Sequence, residues 1–426
     1  MTDLLEDFCD FLTHSPTSWH ATREMGNRLA SLDFTPLYYG EKWNLEKGGS
    51  YFAIHDGSLA AFVLPEKTPE QMAIVTSHTD SPALKLKPHP FHESHNMEVL
   101  GVEIYGSPVL PTWVNRDLGI AGRVIVSQKS GNIEEHMVFF DDAPVLIPLL
   151  APHLDREAYK KGLELNQQEH LIPIAGLKDQ KFDLTYIEGL LRRELSFQKL
   201  LDFDLFLVPL DPPRFIGISG EMLASYRLDN LASAHAALTG IGNVENPKMA
   251  LPIALFWDHE EIGSETSVGA KSSFFRDIYD RICQIYSIGQ EKEILMRQNS
   301  LCLSVDLTHA ANPAYLKKYE PHHLPLLGEG ITIKYNAGMR YTTTARSGAF
   351  ISLLSDKLKL KLQRFVNRSD NPSGSTVGPL FAAQMGIETV DIGIAQLSMH
   401  AAREVISCAD HIDMCHLLSS FLQGES

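Results

Sequence analysis

Cysteine is scarce in this 426-residue chain: Cys9, Cys283, Cys302, Cys408 and Cys415 are an odd number, widely scattered, with no C-x-x-C pair. That spacing excludes a disulfide framework, suits a reducing compartment, and offers no thiolate metal site. Ligands for any bound metal are therefore expected from histidine and carboxylate. Basic residues are also short, 37 Lys plus Arg against 53 Asp plus Glu, and the net charge of -16 would repel nucleic acid phosphates. No stretch approaches the roughly 20 consecutive apolar residues that cross a bilayer, so no membrane span is expected. Internal repeats and low-complexity tracts are absent too, which leaves a solenoid or a disordered chain without support.

What is present is the composition of an ordinary globular protein, 44% hydrophobic and 21% charged. The length suits one large catalytic domain with an insertion, or two domains. The first residues, Met1-Thr2-Asp3-Leu4-Leu5-Glu6-Asp7, are acidic where a signal peptide is basic, and no apolar segment follows. A cytoplasmic location is the expectation.

Apolar spacing from Leu4 to about Leu32 predicts two helices broken at Ser15-Pro16. Short runs at 50–54, 59–64 and 72–76 read as buried strands, the last ending at Ser77-His78-Thr79-Asp80. From 86 to 219 alternating segments predict a β-rich inserted domain, with a hairpin turn at Lys129-Ser130-Gly131-Asn132 and a Pro-rich edge at Asp211-Pro212-Pro213. Residues 1–85 and 220–426 then form a discontinuous α/β domain. Its second part predicts helices over 229–239 and 267–286 and strands over 251–257 and 301–305. Polar clusters at His78, 258–261 and 306–309 thus follow strands, where open α/β sheets bind ligands.

Water activation by metal needs histidine and carboxylate ligands plus an open position, and two ions need one carboxylate between them. His78 offers an imidazole, and Asp80, two residues on, can orient it. Asp229 opens an Ala-rich helix, where an aspartate is also an ordinary N-cap. In Asp258-His259-Glu260-Glu261 adjacent acids follow an apolar run; one could bind metal while the other acts as a general base, or the loop could simply be solvated. Asp306 ends a strand, His400 lies near the C-terminus, and His309 competes with them. His322-His323 and the set His89, His92 and His95 read as surface histidines.

In order along the chain, Phe11-Leu12-Thr13-His14-Ser15-Pro16-Thr17, Ser77-His78-Thr79-Asp80-Ser81-Pro82, Thr112-Trp113-Val114-Asn115-Arg116-Asp117-Leu118, Arg227-Leu228-Asp229-Asn230-Leu231, Asp258 to Ser264, Ser304-Val305-Asp306, Ser375-Thr376-Val377-Gly378-Pro379 and Met399-His400-Ala401-Ala402-Arg403-Glu404 resemble the aspartyl aminopeptidase family of co-catalytic zinc exopeptidases. The resemblance spans nearly the whole chain. It implies a three-layer α/β/α zinc-exopeptidase core with an inserted β-rich domain, and hydrolysis of N-terminal residues from peptides. Two zinc ions per subunit are implied, with Mn or Co also suited to N/O ligands. His78 and Asp306 would hold one ion, Glu261 and His400 the other, with Asp229 shared. Glu260 would be the base and Asp80 the residue that orients His78. His153, in Ala151-Pro152-His153-Leu154, resembles a histidine that a neighbouring subunit lends to the active site, and the family's assembly is a dodecamer built through the insertion.

One position departs from the family pattern. Acid-selective members carry a lysine where this chain has Gly338, so neutral or apolar N-terminal residues become candidate substrates. Met339 and Arg340 are the nearby side chains that could compensate. Two other functions are compatible with the fold: a catalytically silent assembly or cargo scaffold, and a related metal-dependent amidase or deacylase. The full set His78, Asp229, Glu260, Glu261, Asp306 and His400 favours the peptidase.

Overall fold

Along the strand Gln71–His78 the apolar side chains divide by parity, Ala73 and Val75 entering one buried cluster and Met72 and Ile74 another. Period-two alternation with both faces apolar means that each face of the sheet needs a covering layer. The computed structural model, which describes residues 2–178 and 186–424, supplies both layers. Helices Leu228–Gly242, Ala345–Leu358 and Cys408–Gln423 contribute to the first cluster, and Phe274–Ile285 and Val377–Met385 to the second. The result is a three-layer α/β/α arrangement.

This first compact unit comprises Met1–Asp80, Pro213–Met399 and Glu404–Ser426. Among the described residues its sheet has thirteen strands. At its centre Ala250–Trp257, Gln71–His78, Leu301–Val305 and Glu388–Leu397 run parallel in that spatial order. Parallel neighbours carry their carboxyl ends to one edge of the sheet, which is where the polar clusters follow.

The second unit comprises Ser81–Pro212 with His400–Arg403. Among the described residues its sheet has six strands, antiparallel throughout, ordered Ile133–Val145, Leu118–Ser127, Lys199–Pro209, Ala83–Ser94, Met97–Tyr105 and Ile174–Leu177. The first two strands form a hairpin in which Gly131 takes φ +86°. The unit limits fall earlier than 86 and 219 because pairing decides them. Ala83 already pairs with Tyr105 in this sheet, whereas Arg214–Ile216 pairs with Met222–Ser225 in the first.

The helix expected from 267 begins later, at Phe274, and the helix expected from 229 is irregular at its start. The stretch before Phe274 is a series of turns, and a Cβ placed on Gly269 would lie 2.6 Å from the Ser264 carbonyl oxygen, so backbone packs against backbone there. In Leu228–Gly242, Asp229 (φ -84°, ψ 105°) and Asn230 (φ -121°, ψ 26°) leave the helical path.

Candidate metal centre

Strand register carries His78 and Asp306 to one level. Trp257 pairs with His78 and Ser304 with Thr76, so Asp306 lies as far beyond its partner as His78 does. Asp229 joins them from the non-helical start of Leu228–Gly242. It is no N-cap: Arg227 holds the cap position, and no side chain caps that helix. Instead the Asp229 backbone N–H donates to Glu404 Oε2 at 3.0 Å, while Asn230 Nδ2 donates to the Val305 carbonyl at 2.9 Å, tying this turn to the strand that precedes Asp306.

His78 is buried with its ring fixed at one end. Nδ1 lies 3.0 Å from the Asp80 carbonyl oxygen and 3.4 Å from Asp80 Oδ1, whereas Nε2 faces Asp229 Oδ1 at 3.6 Å and Asp306 Oδ1 at 3.8 Å. A proton held on Nδ1 leaves Nε2 to act as a ligand, which is how metal-binding histidines are commonly oriented. Ligand atoms of His78, Asp229 and Asp306 lie within 4.8 Å of one another, as do those of His78, Glu260 and Glu261. The two glutamates occupy a single turn, Glu260–Ile262, entered through His259 at φ 62°. Both backbone N–H groups donate to Asp80, Glu260 to Oδ1 and Glu261 to Oδ2, each at 3.1 Å.

Burial and the neighbouring carboxylates of Asp306, Asp80 and Asp229 push Glu260 up to about 8, although His78 pulls the other way. Burial opposes a charge on His78, yet Asp229, Asp306 and Asp80 hold its ring well above the ordinary histidine range. The acids thus compete for too little positive charge. Lys334 supplies some, its Nζ donating to the Leu307 carbonyl at 2.7 Å and standing 3.8 Å from Asp306 Oδ2. A divalent cation would supply the rest, and an imidazole among carboxylates is a donor set that suits zinc.

The sequence matches the Aminopeptidase I zinc metalloprotease (M18) family over residues 11–422. The chain is a member of the M18 aminopeptidase family. Among its relatives, a probable M18 family aminopeptidase 2 of Streptomyces avermitilis is 36% identical over 429 residues, covering 98% of this chain and 97% of that protein. A chain in the cryo-EM structure of the Ape4 and Nbr1 complex superposes with a TM-score of 0.95 at 32% identity, covering 100% of this chain and 86% of that one. The S. cerevisiae mApe1 dodecamer gives a TM-score of 0.84 at 27% identity, covering 99% and 98%. The protein is accordingly a zinc-dependent aminopeptidase with the M18 fold.

Of the remaining positions singled out in this M18 sequence, His400 belongs to the short segment grouped with the second unit. Its Nδ1 lies 3.1 Å from the Ser107 carbonyl, the same tethering through Nδ1 that His78 has. His153 stands exposed on a turn of the second unit. His309 is exposed and meets the Phe365 ring edge-on, and His323 bonds Glu320 at 2.6 Å. Among the described residues none of His153, His309, His323, His89, His92, His95 and His322 joins a group of three close ligand atoms, whereas His400 does. Asp258 is buried away from such a role, accepting from Ser18 Oγ at 3.1 Å and from the His259 N–H at 2.9 Å. The 337–340 loop is exposed, with Gly338 donating to Asn336 Oδ1 at 2.8 Å and Met339 half outside.

Sequence reasoning passed over Lys334 and Glu404. Lys334 had a signal, a lysine inside the apolar strand Ile331–Tyr335. Glu404 stood in the quoted segment that carries His400, but nothing local ties it to the Asp229 turn.

Proposed function

We propose that this aminopeptidase uses two zinc ions, His78 and Asp306 holding one, Glu261 and His400 the other, and Asp229 shared between them. The convergence of His78, Asp229, Asp306, Glu260 and Glu261, with Asp80 tying two of the contributing segments, carries the reading. Manganese or cobalt suits the same N/O donors. When bound, the metal supplies a Lewis acid that polarises the scissile carbonyl and acidifies water at neutral pH.

Glu260 is the general base. Its carboxyl group is held off the strand by a turn whose backbone is clamped to Asp80, and it takes the proton of the attacking water and returns it to the departing amine. Asp80 is a positioning residue, fixing the His78 ring and the Glu260-Glu261 turn together. The second unit serves self-association, and His153 of a neighbouring copy donates to the carbonyl oxygen as it gains charge. The dodecamer of the yeast relative supports this self-association. Unbonded, scattered cysteines favour a reducing, cytoplasmic setting.

Glycine at 338 leaves the first side-chain pocket without the lysine of acid-selective relatives, so the substrates are peptides with neutral or apolar N-terminal residues. A panel of Asp, Glu, Leu and Met chromogenic substrates, assayed with and without chelator, tests both parts. Chelator-sensitive cleavage led by Leu or Met is expected. A preference for Asp would overturn the specificity, and chelator-resistant cleavage would overturn the metal mechanism.

A further inference from the structure

Away from the catalytic strands, the fold brings together three ligand atoms that sequence spacing gave no reason to connect. His235 lies in Leu228–Gly242, and His411 and Cys415 lie in Cys408–Gln423, four residues apart and therefore on one helix face. All three are at least 98% buried, and their ligand atoms lie within 4.8 Å of one another. His411 Nε2 is the meeting point, 3.1 Å from His235 Nδ1 and 3.8 Å from Cys415 Sγ. Ordinary zinc bond lengths in tetrahedral geometry place N and N roughly 3.3 Å apart and N and S roughly 3.6 Å apart.

The surroundings are those of a metal-binding histidine. Asp7, on the helix Thr2–Thr13, faces His235 Nε2 at 2.9 Å and holds the proton there, so that Nδ1 presents its lone pair to the cluster. Burial pushes both imidazoles below the ordinary histidine range, which keeps them neutral, the form that binds metal. Phe8 stacks on the His411 ring at 4.1 Å between centroids and 17° between planes, roofing the group with the same N-terminal helix.

We propose that His235, His411 and Cys415 form a structural site for a thiophilic divalent ion of the zinc type, separate from the catalytic centre. The histidine-and-carboxylate rule read from the sequence then holds for the catalytic centre alone, because folding supplies a single thiol beside two imidazoles without a C-x-x-C pair. Such an ion would join two core helices and, through Asp7, the N-terminal helix.

Cobalt(II) titrated into the chelator-treated full-length chain tests this, since a thiolate-to-cobalt charge-transfer band reports a cysteine ligand and the proposed catalytic ligands include none. The band is expected to reach the intensity of one thiolate-bound cobalt per chain, with the catalytic sites taking up cobalt without adding to it, and to vanish in Cys415→Ser, while zinc-loaded Cys415→Ser keeps its peptidase activity. If that variant fails to fold, His235→Gln replaces it, again with loss of the band expected. No band in the wild type at excess cobalt, or a band that persists in the folded variant, would overturn the proposal.

Discussion

Asp80 Oδ1 accepts the backbone N–H of Glu260 at 3.1 Å, a bond between residues 180 positions apart. Its other oxygen accepts from Glu261 at the same distance, and its main-chain carbonyl meets His78 Nδ1. One residue therefore fixes both the His78 ring, proposed as a ligand, and the turn that bears the proposed base.

Substituting Asp80→Asn tests that coupling. An amide offers one accepting oxygen and turns an NH₂ toward a second N–H donor, so one of the two clamps is lost. Zinc affinity is expected to fall about 10- to 100-fold, as for other residues that orient metal ligands, and kcat to fall with it at saturating zinc. Competition with a chromophoric chelator and steady-state kinetics measure the two quantities. Unchanged values for both would remove Asp80 from its positioning role.

For Asp229→Asn, the residue proposed as the shared ligand loses its charge. Mass spectrometry of the native protein is expected to show two fewer zinc ions per chain than in wild type. Loss of a single ion would assign Asp229 to one zinc only.

Acidity gives a third expectation, for the zinc-free protein. Glu260 is raised from 4.5 to about 8, so its contribution to stability is complete below pH 4.5 and is lost as pH rises through about 8. His78, also raised, acts in the same direction, contributing fully below 6.5 and less as pH rises through its elevated value. Calorimetry should therefore show the zinc-free Tm falling between pH 5 and 8.5, with a shallower fall in Glu260→Gln. A Tm that rises over this range would contradict the assignment.

Specificity is open to a gain of function. A Cβ at 338 would lie 3.1 Å from the side-chain oxygen of Asn336, so a lysine on this exposed loop needs that side chain to give by a few tenths of an ångström. Gly338→Lys is expected to raise kcat/KM for an Asp substrate relative to Leu by about 2- to 5-fold, the scale of one exposed ion pair. No change in that ratio would show that position 338 does not face the substrate side chain.

The fold was legible where a single period governed the side chains. The run Met72 to Thr76 reads as a strand buried on both faces, and the break at Ser15-Pro16 separates Thr2–Thr13 from Ser18–Ser31. Helix starts were less legible, because turn geometry rather than apolar spacing sets them, as before Phe274 and around Asp229. His78, Glu260, Glu261 and Asp306 could be picked out as polar groups at strand ends, yet their meeting depends on the register between distant strands. The division of ligands came from family resemblance. Lys334 left a trace as a lysine in an apolar strand, whereas the place of Glu404 and the meeting of His235 with His411 and Cys415 depend on tertiary packing.

The most direct test of the central claim is the activity and metal content of Glu260→Gln. The variant is expected to keep the zinc content of wild type while kcat falls about 10²- to 10⁴-fold, the range for a lost general base. Wild-type turnover with full zinc would contradict the role given to Glu260, and loss of zinc would instead make it a ligand.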